Sequence, residues 1–95
     1  MTLDEFRSTL SAASPPAGLP DAVHALWHDA RGDWDTAHAI AQDVPGEAGA
    51  WVHAYLHRKE GDLANAGYWY RRAGKPEARG PLDREWAEIA ETLLA

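Results

Sequence analysis

The chain has 95 residues, enough for one hydrophobic core and too few for two, and it contains no cysteine, which excludes disulfides, thiolate metal sites and thiol nucleophiles. Nine basic against fifteen acidic residues give a net charge of −6, the wrong sign for a duplex nucleic-acid binder or a polybasic membrane anchor. Hydrophobic residues at 45% and five tryptophans exclude disorder, while neither the acidic start Met1-Thr-Leu-Asp-Glu-Phe nor any later run has the apolar length of a signal peptide or a membrane span, so the chain reads as a cytoplasmic, single domain over 1–95.

In chain order, Thr2-Leu-Asp-Glu5 has capping-box spacing, and Leu3, Phe6, Leu10 and Ala13 form one stripe, predicting a helix over about 3–13. Ser14-Pro15-Pro16 stops it, and a stiff connector runs to Pro20. An internal repeat follows. Val23 to Ala37 lies over Val52 to Ala66 without a gap at an offset of 29 residues, and seven of the fifteen pairs are identical, where unrelated segments share about one. Each unit holds an apolar-periodic run, a Gly-Asp pair and a second run. Gly32 and Gly61 supply a left-handed helix stop, and Asp33 and Asp62 cap the helix that follows. Helices are therefore expected at about 20–31, 33–43, 47–60 and 62–73, in units of about 20–45 and 47–76. Within them, Glu47 to His57 is uncharged after its first residue and apolar on nearly all sides, which marks the central helix. Finally, Pro81 opens a helix over about 82–94 whose Leu82, Trp86, Ile89, Leu93 and Leu94 share a face. The fold class is all-α: about six helices, with two antiparallel hairpin units and flanking helices that cap the two ends of the stack.

The residues Gly61-Asp-Leu63-Ala-Asn-Ala66-Gly-Tyr-Trp-Tyr70-Arg-Arg-Ala73, and Gly32-Asp-Trp34-Asp-Thr-Ala37 in the first unit, resemble the tetratricopeptide and Sel1-like helical repeats. The segment Trp51-Val-His-Ala-Tyr-Leu-His-Arg-Lys-Glu-Gly-Asp with Tyr68-Trp-Tyr-Arg-Arg is also similar to a group of small bacterial proteins to which no activity is attached. The first resemblance covers Pro20 to Ala73 and implies a protein-binding scaffold.

Two constellations invite chemistry. His24 and His28 stand one helical turn apart, and His53 and His57 repeat that spacing in the next unit. As a metal site, two H-x-x-x-H pairs would bring four imidazoles together, though without the Glu of the hydrolytic H-E-x-x-H motif. As packing residues, which the repeat resemblance favours, the same four are neutral and hydrogen-bonded at the core edge, and His38, outside both pairs, faces solvent. The second constellation is electrical. Residues 58–79 carry six basic and three acidic side chains, against two and eight in 1–57 and one and four in 80–95. Within that basic segment Tyr68-Trp69-Tyr70 sweep about 200° of helix, so they cannot all face one core. Either Leu82 and Trp86 cover the outward ones, or Arg58, Tyr68, Arg71 and Arg72 form a contact surface for an acidic partner.

No P-loop, G-x-G-x-x-G or G-x-S-x-G motif occurs, and Ser8, Ser11 and Ser14 all precede the repeats. The chain is thus read as a non-enzymatic interaction or scaffold module that needs no cofactor, contacts an unidentified protein or acidic ligand, and contacts neither nucleic acid nor membrane. The alternative is a metal- or small-ligand-binding protein using His24, His28, His53 and His57.

Overall fold

In the computed structural model, which describes residues 1–95, Thr2 opens α1 (Leu3–Ser8) with a complete capping box. The Thr2 hydroxyl accepts from the Glu5 N–H at 3.1 Å and the Glu5 carboxylate accepts from the Thr2 N–H at 2.8 Å, a backbone bond that also holds the Glu5 carboxyl below its usual range. The helix is shorter than its apolar spacing implies, tightening into a 3-10 turn at Thr9–Ser11. The Ser8 and Thr9 hydroxyls donate to the carbonyls of Glu5 and Phe6, each at 2.6 Å, and such local bonds compete with a continuing helical ladder.

The remaining elements are α2 (Asp21–Ala30), α3 (Trp34–Asp43), α4 (Gly46–Glu60), α5 (Leu63–Ala73) and α6 (Leu82–Leu94), so the fold is all-α with six α-helices and no strand. The two Gly-Asp pairs close α2 and α4 identically. Gly32 and Gly61 have φ of 82° and 92°; the Asp33 and Asp62 N–H groups donate to the carbonyls of His28 and His57, and their carboxylates accept from the N–H groups of Thr36 and Asn65. One pair of residues thus satisfies the carbonyl end of one helix and the amide end of the next. A Cβ at Gly61 would meet nothing within 4 Å, so Gly61→Ala should lose about 1 kcal/mol from the positive φ alone, measured by urea unfolding. An unchanged midpoint would mean that the turn tolerates a side chain.

The hairpin of α4 and α5 is antiparallel: Gly74, past the end of α5, lies beside Glu47 at the start of α4. At the turn between the hairpins, Gly49 is buried where a Cβ would fall 2.0 Å from the Val44 carbonyl oxygen, so only glycine lets Val44-Pro45 fold back on α4. Every residue from Gly49 to His57 is buried, which makes α4 the central helix, packed against α2, α3, α5 and α6. Leu63, opening α5, stays exposed while Ala66, Tyr70 and Ala73 pack inward.

The flanking helices do not stand at opposite ends of the stack; they meet. Phe6 of α1 stacks on Trp86 of α6 with centroids 5.6 Å apart, and the Trp86 Nε1–H donates to the Leu26 carbonyl of α2 at 2.9 Å. An indole N–H that is buried needs such an acceptor, and this one pins α6 across α2.

Two carboxylates are buried in the same layer. Asp29 accepts from the Tyr55 hydroxyl at 3.0 Å and from Lys59 Nζ at 2.9 Å; Glu85 accepts from Arg58 Nη1 at 2.9 Å and from the Tyr70 hydroxyl at 2.5 Å, while the other Arg58 nitrogen, Nη2, donates to the Gly80 carbonyl. Burial first, and then these carboxylates, push both tyrosine hydroxyls above their usual range, so both remain donors. Consecutive residues at the exit of α4 therefore reach different helices, Arg58 to α6 and Lys59 to α2. No helix is long and apolar enough to cross a membrane.

Candidate functional site

On α3 the buried stripe is Ala37 and Ala41, with Trp34 one turn before and His38 between them. The spacing i, i+3, i+4, i+7 puts all four on one face, toward α4. His38 is therefore not solvent-facing, as its isolation in sequence suggested, but half-buried. Its ring stacks flat on Trp34 with centroids 4.8 Å apart, and the Trp34 indole is itself fixed by donating to the Leu56 carbonyl at 2.9 Å.

From α4, His53 and His57 project into the same space. His38 Nε2 and His53 Nε2 lie 3.0 Å apart, one imidazole N–H donating to the other's lone pair. The His57 ring stacks against His53 at 4.7 Å, and its Nδ1 lies 2.6 Å from a carboxylate oxygen of Glu60. A carboxylate can only accept there, so Nδ1 carries a proton, and in the neutral ring the free lone pair is on Nε2. From α5, Trp69 covers the far side, stacked on His53 at 4.0 Å. The result is a layer of three imidazoles walled by two indoles, with one ligating nitrogen of each imidazole within 4.8 Å of the others.

Burial pushes the His53 imidazole down to about 4, assisted by the repulsion of His57 and His38, and burial lowers His38 in the same way with His57 adding to it. Both rings are neutral at physiological pH and keep a nitrogen lone pair.

Of the four histidines singled out by the repeat, the fold unites only one pair. His24 and His28 lie on α2, where His24 buries an unpartnered Nε2 and His28 sits edge-on to Trp27, and neither joins the imidazole group. The four-histidine set is thus corrected to His38, His53 and His57. His38 has no histidine counterpart in the repeat, because 29 residues on stands Gly67; the helical stripe of α3, not the repeat, carried the signal for it.

The basic segment is also redistributed. Arg58 is turned inward to Glu85, so it does not share a face with Arg71 and Arg72, and Lys75 lies over Trp51 at 4.3 Å. Leu82 and Trp86 do not cover the aromatic row either: Trp86 is taken by Phe6 and Leu26, and Trp69 by His53. Tyr68 is left exposed, its hydroxyl accepting from Arg72 Nη1 at 2.9 Å, with the Arg72 guanidinium over both Tyr68 (5.7 Å) and Trp69 (5.1 Å). Arg71 and Arg72 are exposed and neither forms an ion pair. Beside them a cleft of about 260 Å³ opens between α3, α4 and α5, lined among others by Val44, Pro45, Ala50, Trp69 and Arg72.

The larger cleft, about 350 Å³, lies between α1, α2, α4 and α6 over Asp29, Tyr55, Lys59 and Trp86. Both oxygens of its buried carboxylate already accept internal hydrogen bonds, so that carboxylate serves the fold. Compared with known proteins, the chain matches no family model, no curated protein and no solved structure.

Proposed function

We propose that this chain is a cytoplasmic, non-enzymatic interaction module built from tetratricopeptide-like helical hairpins, and that it takes an acidic segment of a partner protein on the surface of Tyr68, Trp69, Arg71 and Arg72. The observation that carries this reading is Arg72. Its guanidinium is held over two aromatic rings and by one tyrosine hydroxyl, carries no counter-ion from the chain, and stands on the surface of a protein whose net charge is −6. A guanidinium fixed in this way has little further freedom to lose on binding, and its remaining N–H groups match a carboxylate bidentately. Exposed tyrosine and half-buried tryptophan beside it supply the apolar area that anchors interfaces, and the adjoining cleft gives an apolar side chain of the partner a place to enter.

Selection from a random displayed-peptide library tests this. Recovered peptides should be acidic with at least one large apolar residue, and their affinity should fall roughly tenfold between 50 and 300 mM salt as screening shortens. The Arg71→Ala, Arg72→Ala double variant should lose binding by a similar factor or more. Recovery of neutral or basic peptides, or binding unchanged in the double variant, would rule this surface out.

A further inference from the structure

We propose that His38, His53 and His57 form a binding site for one divalent transition-metal ion, with Zn²⁺ as the favoured occupant. The inference stands apart from the peptide-binding reading and rests on the geometry of the imidazole layer. Three nitrogens within 4.8 Å of one another are already near the separation a shared ion needs: Zn–N bonds of about 2.0–2.1 Å in a tetrahedron set neighbouring nitrogens about 3.3 Å apart. The 3.0 Å contact between His38 and His53 has only to open slightly, the bridging proton leaving to solvent or to the Nδ1 of the ring that held it.

The rings are held in advance of any ion. Trp34 stacks on His38, Trp69 stacks on His53, and Glu60 accepts from His57 Nδ1, which fixes that ring's tautomer with Nε2 as the ligand. A carboxylate behind a ligating imidazole is the arrangement that raises ligand basicity and orients the ring, and here it also places one negative charge beside an otherwise neutral donor set. Three neutral nitrogen donors without a carboxylate or thiolate among them select against Mg²⁺ and Ca²⁺, which take oxygen, and suit Zn²⁺, with Ni²⁺ and Cu²⁺ as competitors. Three protein ligands leave a fourth position for an outside group, and His38, half-buried where His53 and His57 are buried, is the ligand that solvent reaches.

The test uses tag-free full-length protein, stripped with chelator and dialysed. Calorimetric titration with Zn²⁺ should give one ion per chain, and Co²⁺ as a spectroscopic substitute should develop the intense visible bands of a low-coordinate site. Zn²⁺ should also raise the melting temperature. His38→Gln removes a half-buried ligand with little threat to folding; it should weaken Zn²⁺ by about 100-fold or more, with circular dichroism confirming an intact helical fold. Glu60→Gln should weaken it by about tenfold. The His24→Ala, His28→Ala double variant should bind as the parent does. The proposal fails if the folded, stripped protein binds none of Zn²⁺, Ni²⁺ and Cu²⁺ more tightly than about 100 µM, if His38→Gln binds like the parent, or if the loss appears in the His24, His28 variant instead.

Discussion

Arg58→Ala should destabilise the protein by about 3–5 kcal/mol in equilibrium urea unfolding, a large share of the 5–15 kcal/mol that holds a domain together. The reason lies in what is left behind. Glu85 is only 4% exposed, and without the Arg58 guanidinium its carboxylate keeps a single donor, the Tyr70 hydroxyl. A buried charge that loses its counter-ion is expensive because neither water nor a second donor reaches it. Lost packing of the arginine stem and a stranded charge are separated by adding Glu85→Gln to the Arg58→Ala chain. A neutral amide removes the stranded charge, so the double variant should recover at least half of the loss. An Arg58→Ala effect below about 1 kcal/mol, or no recovery on neutralising Glu85, would show that the pair contributes through packing alone.

Between pH 7 and pH 4.5 the metal-free protein should lose about 2 kcal/mol of stability through the imidazole layer, most of it through His53. In the fold His53 binds its proton only near pH 4, whereas in the unfolded chain it does so at its ordinary value of 6.5. Over that interval the unfolded state holds more protons than the folded one, so acid favours unfolding. The contribution is complete above about 6.5 and is lost as pH falls toward 4, and His38, lowered by the same burial, adds in the same direction. Solvent reaching the layer past half-buried His38 keeps the effect near 2 kcal/mol rather than the larger figure the full shift would give. Thermal melts from pH 4.5 to 8 in chelator should show this slope, and His53→Gln, which cannot take up a proton, should flatten it. A slope that survives in His53→Gln would locate the acid sensitivity in the carboxylates instead.

The hairpins were legible in the sequence because their stops are local: a glycine with positive φ followed by a capping aspartate acts within one turn, whatever surrounds it. The central helix was legible for a related reason, since an uncharged run from Ala48 to His57 has no side to offer to water. What a linear reading misses is which faces meet. His38 lies on the same α3 stripe as Ala37 and Ala41, yet its place outside the repeated pairs argued for solvent, and Glu85, on the same α6 face as Leu82, Trp86 and Ile89, was not singled out at all. Repetition also misled. It drew attention to His24 and His28 because they have counterparts, whereas the third imidazole of the layer is supplied by a position with none. At the site equivalent to buried Asp29 stands Arg58, so one register of the repeat carries opposite charges to different neighbours, Lys59 of α4 and Glu85 of α6.

The bond from Trp86 to the Leu26 carbonyl joins residues 60 positions apart, while both hairpins close through turns of two or three residues. Assembly therefore has an order. The hairpins form from local contacts at little loop-closure cost, but Leu26, Tyr55 and the inward face of α1 wait for the last helix, and Arg58 stays hydrated until Glu85 arrives. During synthesis the chain cannot complete its core until α6 has left the ribosome, and in the finished protein release of α6 uncovers α1, α2 and the end of α4 together. Trimming the chain back past Trp86 would accordingly strip the cover from Phe6 and Leu26 and strand Arg58 at once, leaving the two hairpins joined only through the packing of α3 on α4 and the bonds of Asp29 to Tyr55 and Lys59.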